Sequence, residues 1–345
     1  MRVLITGHDG YIGTVLSPRV RAIGHEVVGL DTFLYADSPF GPQPPAVTVV
    51  GRDVRDVVAD DLTGVDAVLH LAAISNDPVG DLDADLTYDV NHRATVRLAR
   101  AAREAGVTRF VFSSSCSLYG AATNDDVLDE RAPFNPVTPY GHSKVLAERD
   151  LVDLARSTFS PVFLRNATAY GVSPRLRTDI VVNDLTGHAV LNGSVLIKSD
   201  GTPWRPLVHV EDIARAFVAV LEAPREAVHC EAFNVGRSGE NYQIRDIGDM
   251  VASAVPDSEI VYAAGGGPDK RSYRVDFSKI AEQVPAFQPA WTVADGVREL
   301  VDAYGRQGLS AEDLAAARYT RIGTIKRLQA AGRLGDDLRF ERTPA

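Results

Sequence analysis

Cysteine is nearly missing from this 345-residue chain, which holds only Cys116 and Cys230. Two thiols so far apart exclude a disulfide framework and a zinc cluster. Long apolar runs are missing too: nothing approaches the ~20 residues that a membrane-spanning helix needs. A basic excess is also lacking. Lys and Arg number 36 against 46 Asp and Glu, a net charge of -10. That balance argues against a nucleic-acid or anionic membrane surface as partner, while leaving room for a local basic pocket. No internal repeat is visible. Met1-Arg2-Val3-Leu4-Ile5 runs straight into a strand-like pattern, leaving no room for a signal peptide, so the expectation is a cytoplasmic protein. What remains is ordinary: 45% hydrophobic and 24% charged, the make-up of a globular chain long enough for a large core in two lobes.

The β-branched run Val3-Leu4-Ile5 suits a buried parallel strand. It leads into Thr6-Gly7-His8-Asp9-Gly10-Tyr11-Ile12-Gly13, and Thr14 to Ile23 then reads as a helix. Glycines at Gly7, Gly10 and Gly13 permit a tight turn and let backbone N–H groups approach a pyrophosphate at the helix N-terminus. A glycine triplet alone is weak, but its place between the first strand and a helix strengthens it. Glu26 to Asp31 is the second strand. Asp31 closes it where a carboxylate would hold adenosine ribose hydroxyls and repel a 2'-phosphate, which favours NAD over NADP. Tyr35 to Pro45 is a Pro/Gly-rich loop. Val47 to Val50 is a third strand, Val65 to Ala73 a fourth with its exit loop, and Arg109 to Phe112 a fifth, ending in Ser113 to Gly120. Asn91 to Ala105 reads as a long helix stopped by Gly106. Such alternation predicts an α/β fold, a doubly wound parallel Rossmann sheet with ligands at the carboxyl ends of its strands.

Tyr140-Gly141-His142-Ser143-Lys144 places a phenol and an ammonium one helical turn apart. A free Tyr titrates near ~10. A neighbouring cation stabilises the phenolate and makes the pair a usable general base and acid. On spacing alone the pair is equally a surface helix carrying Tyr and Lys.

Together, Thr6-Gly7-x-x-Gly10-x-x-Gly13, His70-Leu71-Ala72-Ala73, the Ser113–Gly120 segment and Tyr140-x-x-x-Lys144 resemble the extended short-chain dehydrogenases/reductases. Within them the chain is most similar to nucleotide-sugar epimerases and dehydratases, over roughly the first ~280 residues. The resemblance implies Ser115 as the residue that hydrogen-bonds the reacting sugar hydroxyl, Tyr140 as acid/base, and Lys144 as the cation that lowers the Tyr pKa and holds the nicotinamide ribose. It implies a cofactor site of Gly7, Gly10, Tyr11, Ile12, Gly13, Asp31, Asp53, Val54, Leu71, Ala72 and Ala73. It places catalysis on a helix from Ser143 to Ala155, which with the Asn91–Ala105 helix forms a homodimer interface in the family. The apolar residues of the Ser143–Ala155 helix fit a core role equally well.

Departures from the family narrow the chemistry. The 4,6-dehydratases carry Thr-Asp-Glu where this chain has Ser115-Cys116-Ser117, and their two carboxylates expel water from the sugar. Cys116 sits one residue from the catalytic Cys of 3,5-epimerizing relatives and is expected to be a buried structural thiol. The resemblance also implies substrate contacts at Ser75, Ser117, Asn166, Thr168, Asn183, Arg205, Arg271 and Tyr273, with Thr168 standing where the family usually has Asn. Arg205 would clamp a phosphate. His209 is expected to be structural, with Asp212 capping the helix that follows. Gly265 to Asp276 is a second candidate phosphate site, with Arg271 as its arginine, or a solvated basic loop, and Asn124 to Glu130 is an acidic loop without a role. Residues 171–205 and 237–345 are expected to form a smaller nucleotide-sugar lobe beside an NAD-binding domain of 1–170 plus 206–236. In the extension beyond Gly308, Ala311 to Ala331 should be mostly helical with a possible break at Gly323. It would pack on the small lobe, form a dimer contact or act as a lid. The expected function is NAD-dependent epimerization of a nucleotide sugar at C4, against a deoxysugar 4-ketoreductase or a non-catalytic dinucleotide sensor.

Overall fold

The computed structural model describes residues 1–75, 83–121, 127–263 and 271–341. The 265–270 part of the expected glycine-run site, with Gly266 and Lys270, lies outside the described residues, as does the 124–126 part of the acidic loop. Strands β1 (Arg2–Thr6), β2 (Glu26–Asp31), β3 (Thr48–Gly51), β4 (Ala67–His70) and β5 (Arg109–Ser115) follow the predicted order. After the short β6 (Val127–Leu128) come β7 (Ser160–Asn166), β8 (Thr168–Tyr170), β9 (Ser194–Ile197) and β10 (Trp204–His209). The last four are β11 (Ala232–Val235), β12 (Asn241–Gln243), β13 (Glu259–Tyr262) and β14 (Arg274–Val275).

Seven strands make one sheet in the order β11-β7-β5-β4-β1-β2-β3, with every pair parallel. Parallel strands must be covered on both faces, and β1 shows how. Val3 and Ile5 enter one core with Leu16 and Phe217. Leu4, pointing the other way, enters a second core with Leu98, Ala147 and Leu151. The chain reverses direction across the sheet between β1 and β4, and that switch opens a crevice at the carboxyl ends of the strands. Beside it a third core joins Tyr170, Val182, Ile197, Ile247, Val297 and Tyr304. It lies around the small sheet β12-β10-β8, the pair β13-β9 and the helices Val181–Asn192, Ile244–Ala254 and Val293–Gln307. Among the described residues no helix is long and apolar enough to cross a membrane.

Three elements differ from expectation. The helix predicted to begin at Asn91 begins at Ala84, capped by Asp83, whose carboxylate accepts from Leu86 N–H. It passes through a π turn at Asp89–Arg93 before continuing as Ala94–Glu104. In that turn Asn91 is 1% exposed. Its amide bonds both the N–H and the carbonyl of Ile74 and donates to Ser143 Oγ at 3.2 Å. It thus ties the loop after β4 to the Tyr-Lys helix. In the second case, Asp212 does not cap the helix Val210–Glu222; His209 does, its Nδ1 accepting from Glu211 N–H at 3.2 Å. Asp212 accepts instead from the N–H groups of Ala290 and Trp291. The third case is the C-terminal extension. It makes two helices, Ala311–Ala315 and Arg321–Ala330, and the break falls at Ala317 (φ 50) and the cap Thr320, not at Gly323. Gly323 lies inside the second helix, where a Cβ would come 2.4 Å from the Ala317 carbonyl. The extension also reaches the first half of the chain: Ile325, Leu328, Leu334 and Leu338 pack on Ile74, and Arg339 pairs with Asp56.

Candidate active site

A cleft of about 930 Å³ lies along the carboxyl ends of β1, β2, β4, β5 and β7. Gly7, Gly10, Tyr11, Ile12, Gly13, Asp31, Asp53 and Val54 line it, as do Leu71, Ala72, Ala73, Ser75, Ser115, Ser117, Tyr140 and Lys144. Asn166, Thr168, Arg205, Arg271 and Tyr273 line it too. The fold therefore gathers these sequence-predicted residues on one cleft, with Asn183 as the exception. Asn183 is fully buried. Its side chain accepts from Gly171 N–H and donates to the carbonyls of Gly171 and Arg177. It shapes the loop after β8 and has no atom in the cleft wall.

Close packing explains the glycine turn. Gly7 adopts φ 70, and a Cβ there would lie 2.8 Å from Ala72 N; a Cβ on Gly13 would lie 2.2 Å from the Gly7 carbonyl. The helix Gly13–Ala22 can therefore start directly against β1, with no side-chain cap on its first turn. Gly10, Tyr11, Ile12 and Gly13 line the cleft where the helix begins, and the positive end of a helix suits an anion; the N–H groups of Thr14, Val15 and Leu16 are taken by the Gly10 and Ile12 carbonyls. Gly13→Ala must push backbone against backbone, so we expect a loss of ~3 kcal/mol, read as a lowered urea midpoint and weaker dinucleotide binding.

Asp31 ends β2 with its carboxylate accepting from Asp9 N–H at 2.9 Å and Phe33 N–H at 2.8 Å. Burial raises its pKa and the two backbone bonds oppose the rise. Asp53 is less open than expected. Arg55 grips it with Nη2 at 2.7 Å and Nε at 3.0 Å, so its carboxylate also anchors its own loop.

The Tyr-Lys helix spans Pro139–Val152, starting four residues before the predicted Ser143. Thr138 Oγ1 caps it by accepting from Gly141 N–H, and Pro139 takes the first helical position. Tyr140 and Lys144 therefore share one helix face. Lys144 is 3% exposed. Its Nζ donates to the Ser113 carbonyl at 2.7 Å, lies 4.5 Å over the Phe112 ring and sits 5.6 Å from the centre of the Tyr140 ring. Burial pulls its pKa down to about 7, against the opposing charge of Glu148. Ser115 Oγ accepts from Ser117 N–H at 3.1 Å and from Ser117 Oγ at 2.9 Å. With both lone pairs used, its own hydroxyl hydrogen is left to donate. Asn166 donates to Ser113 Oγ and the Ser114 carbonyl. Its Oδ1 is buried without a partner among the described residues, an acceptor that a bound polar group would satisfy.

Arg205 Nη1 donates to the Trp204 and Arg271 carbonyls, which brings the two predicted phosphate arginines together. Cys116 is fully buried, with Sγ–H directed at the Arg165 carbonyl at 3.1 Å and its pKa pushed up by burial. His209 is 1% exposed, stacks on Trp291 and bonds Glu299 at 2.9 Å. The cleft wall also includes Tyr35, Arg177, Asp179 and Arg321, none of them named as a contact from the sequence. Arg321 reaches the wall because the C-terminal extension folds back over the cleft, for which local spacing gives no signal; Arg177 and Asp179 come from the 171–205 stretch expected in the nucleotide-sugar lobe. Underneath, Glu148 and Arg165 form a buried pair at 2.7 Å that sequence reasoning also missed.

Comparison with known proteins bears on the same region. Residues 3–236 match the NAD dependent epimerase/dehydratase family. A UDP-glucose 4-epimerase of Mycolicibacterium smegmatis is 33% identical over 329 residues, covering 88% of this chain and 98% of the relative. The structure of MoeE5 in complex with UDP-glucuronic acid and NAD is 28% identical, with a TM-score of 0.76, covering 89% of this chain and 99% of that one. An NDP-hexosamine 5,6-dehydratase, TunA, has a TM-score of 0.78 at 24% identity, covering 88% of this chain and 98% of its own, so the fold alone does not separate epimerization from dehydration. With the matched region spanning the whole seven-stranded sheet, the chain belongs to the NAD-dependent epimerase/dehydratase family.

Proposed function

We propose that this protein is an NAD-dependent nucleotide-sugar epimerase that inverts C4 through a transient 4-ketose. The observation that carries the proposal is one cleft in which Ser115, Tyr140 and the buried Lys144 stand beside the glycine turn and Asp31. The residues fit a dinucleotide. The helix N-terminus facing the cleft suits its diphosphate, Asp31 its adenosine ribose, and the orphaned Asn166 Oδ1 a polar donor deeper in. When bound there, NAD supplies a reversible hydride acceptor at the sugar carbon.

The chain's own residues move the proton. Ser115 donates its hydroxyl to the reacting sugar oxygen and orients it. Tyr140 takes the proton from that oxygen as the carbonyl forms, and Lys144 stabilises the phenolate from which Tyr140 acts. The ketose turns over within the cleft, and Tyr140 returns the proton to the inverted alcohol. Ala167 and Ala169, both in the cleft wall, leave room for that turn. Arg205 and Arg271 hold the substrate's diphosphate, and Thr168 and Tyr273 the sugar. Two observations favour epimerization over 4,6-dehydration. The cleft-lining acids among the described residues are Asp31, Asp53, Asp179 and Asp184, none from the Ser113–Tyr119 segment. The 33% identical relative is a UDP-glucose 4-epimerase. A homodimer through the helices Ala94–Glu104 and Pro139–Val152, and a division into a dinucleotide half and a sugar half, belong to the same proposal.

Purified protein given UDP-, dTDP- and GDP-sugars should interconvert one C4 pair with no added cofactor, as followed by NMR. Consumption of NADH with a 4-ketosugar, without inversion of any sugar, would replace this reading by a ketoreductase.

A further inference from the structure

Two arginines stand in the cleft wall with one carboxylate between them. Arg177 and Arg321 are 8% and 5% exposed, and both face the cleft. Asp179 lies between them: one oxygen accepts from Arg177 Nε at 2.9 Å and the other from the backbone N–H of Arg321 at 3.2 Å, and both guanidinium charges favour its ionised form. The Arg321 guanidinium also lies 3.9 Å over the Tyr35 ring and donates to the Arg175 carbonyl at 3.3 Å. Arg175 itself is matched by Asp9 at 2.6 Å and adds no net charge. Of the other acids of the cleft, Asp31 is held by backbone N–H groups on the β2 side, Asp53 by Arg55 and Asp184 by Lys198. Two cations against Asp179 leave a buried positive charge, and such a charge is costly unless an anion answers it. Burial already pulls Arg321 down to about 10.

Position says which anion. Arg177 Nη1 reaches the Ser75 carbonyl at 3.5 Å, just past β4 and across the switch point from the glycine turn. Tyr11 of that turn is tied to the same loop: its hydroxyl donates to the Gly171 carbonyl at 2.7 Å, and the Asn183 amide joins that carbonyl to the Arg177 carbonyl. Arg205 and Arg271, the other basic pair, stand together around β10 and Tyr273.

We infer that Arg177 and Arg321 form a clamp on the diphosphate of the dinucleotide cofactor, Arg321 being delivered by the C-terminal extension. This rests on the dinucleotide half of the proposed function and not on its sugar chemistry. A diphosphate carries two negative charges, which the spare cation and the positive end of the helix Gly13–Ala22 share between them. Planar guanidinium forks match phosphate oxygens. Arg321 lies outside the matched family region 3–236, so the extension contributes to the cofactor site from beyond that region. Ile325 and Leu338 complete that wall, and Arg333 and Arg339 fasten the segment to Asp37 and Asp56.

The test is equilibrium titration of cofactor-stripped full-length protein with NADH, followed by fluorescence, with UDP and adenosine titrated in parallel. Arg321→Gln and Arg177→Gln should each weaken NADH by ~10-fold or more, as expected for loss of a charged hydrogen bond. Adenosine, which lacks phosphate, and UDP should stay within about twofold. Arg321→Lys, which keeps stem and charge but loses the fork, should fall between wild type and Arg321→Gln, and it serves if the Gln variant does not fold. NADH affinity unchanged in the folded variants overturns the clamp. A loss confined to UDP also overturns it and moves the pair to the substrate's diphosphate. No sugar is present in these titrations, so failure of the C4 assay leaves their outcome standing.

Discussion

Tyr140→Phe should reduce turnover by ~10²–10⁴-fold, the range for losing a positioned acid/base, while leaving the fold and dinucleotide binding in place. The ring stays, so the packing of Lys144 against it stays; only the hydroxyl goes. The effect should appear in kcat with KM little changed, because the proton moves in the transition state and contributes little to ground-state binding. Full activity in this variant, with the NADH titration unchanged, would remove Tyr140 from the chemistry. Lys144 adds a pH signature. Its ammonium stands one turn from Tyr140 on the same helix face, and burial has already lowered Lys144 to about 7. The Tyr140–Lys144 pair therefore sheds its first proton near neutral pH, and that proton belongs to the pair. The form that remains can be written as phenolate with ammonium. The sign follows: kcat/KM should rise with pH through ~7 and then level off. Lys144→Met removes the cation, so the rising limb should move toward the ~10 of an ordinary tyrosine, and the rate at neutral pH should fall with it. A limb that stays near neutrality in Lys144→Met would show that another group titrates there.

The parts legible in the sequence were those written locally. The run Val3-Leu4-Ile5, the glycine turn and Asp31 each announce themselves within a dozen residues, and the parallel sheet followed from strand–helix alternation. Boundaries were blurred where a cap outweighed periodicity. Thr138-Pro139 is a start signal that places Tyr140 inside its helix, yet the polar stretch that follows conceals the helix's first turn. The π turn at Asp89–Arg93 lets Asn91 reach Ile74, a contact made across the fold and not along the chain. Asn183 illustrates the converse: its type and place suit a ligand contact, but the buried backbone of the Gly171–Arg177 loop claims it first. Arg321 could not be found at all from spacing, because its place in the cleft exists only after the extension has packed on Ile74. The break at Ala317 rather than Gly323 has the same origin. Glycine is needed at 323 because the chain folds tightly over it, and the turn itself falls on an alanine.

Glu148→Gln should destabilise the protein by ~3–5 kcal/mol, the cost of leaving a buried charge without its partner. Glu148 and Arg165 side chains are each 6% exposed. Arg165 Nη2 and Nε both donate to Glu148, at 2.7 Å and 3.1 Å. The remaining Nη1 is spent on Tyr119 Oη and the Glu130 carbonyl. Ser114 Oγ donates to the same carboxylate at 2.5 Å, so the pair joins β5, β7 and the Tyr-Lys helix beneath the site. Glutamine keeps the shape and one acceptor but no charge, and Arg165 remains cationic in a place water does not reach. The measurement is the urea midpoint of the full-length protein at unchanged m-value. Arg165→Met should cost a similar amount for the mirror reason. The double replacement Glu148→Leu with Arg165→Met should recover much of the loss, since well-packed apolar groups can replace a buried pair at little cost. Additive losses in the double variant would mean that the pair is not the source of the effect. Glu148 lies one turn below Lys144 and is the charge that holds the Lys144 pKa up against burial. Glu148→Gln should therefore also move the rising limb of kcat/KM to lower pH, a shift that a purely structural role under the helix would not produce.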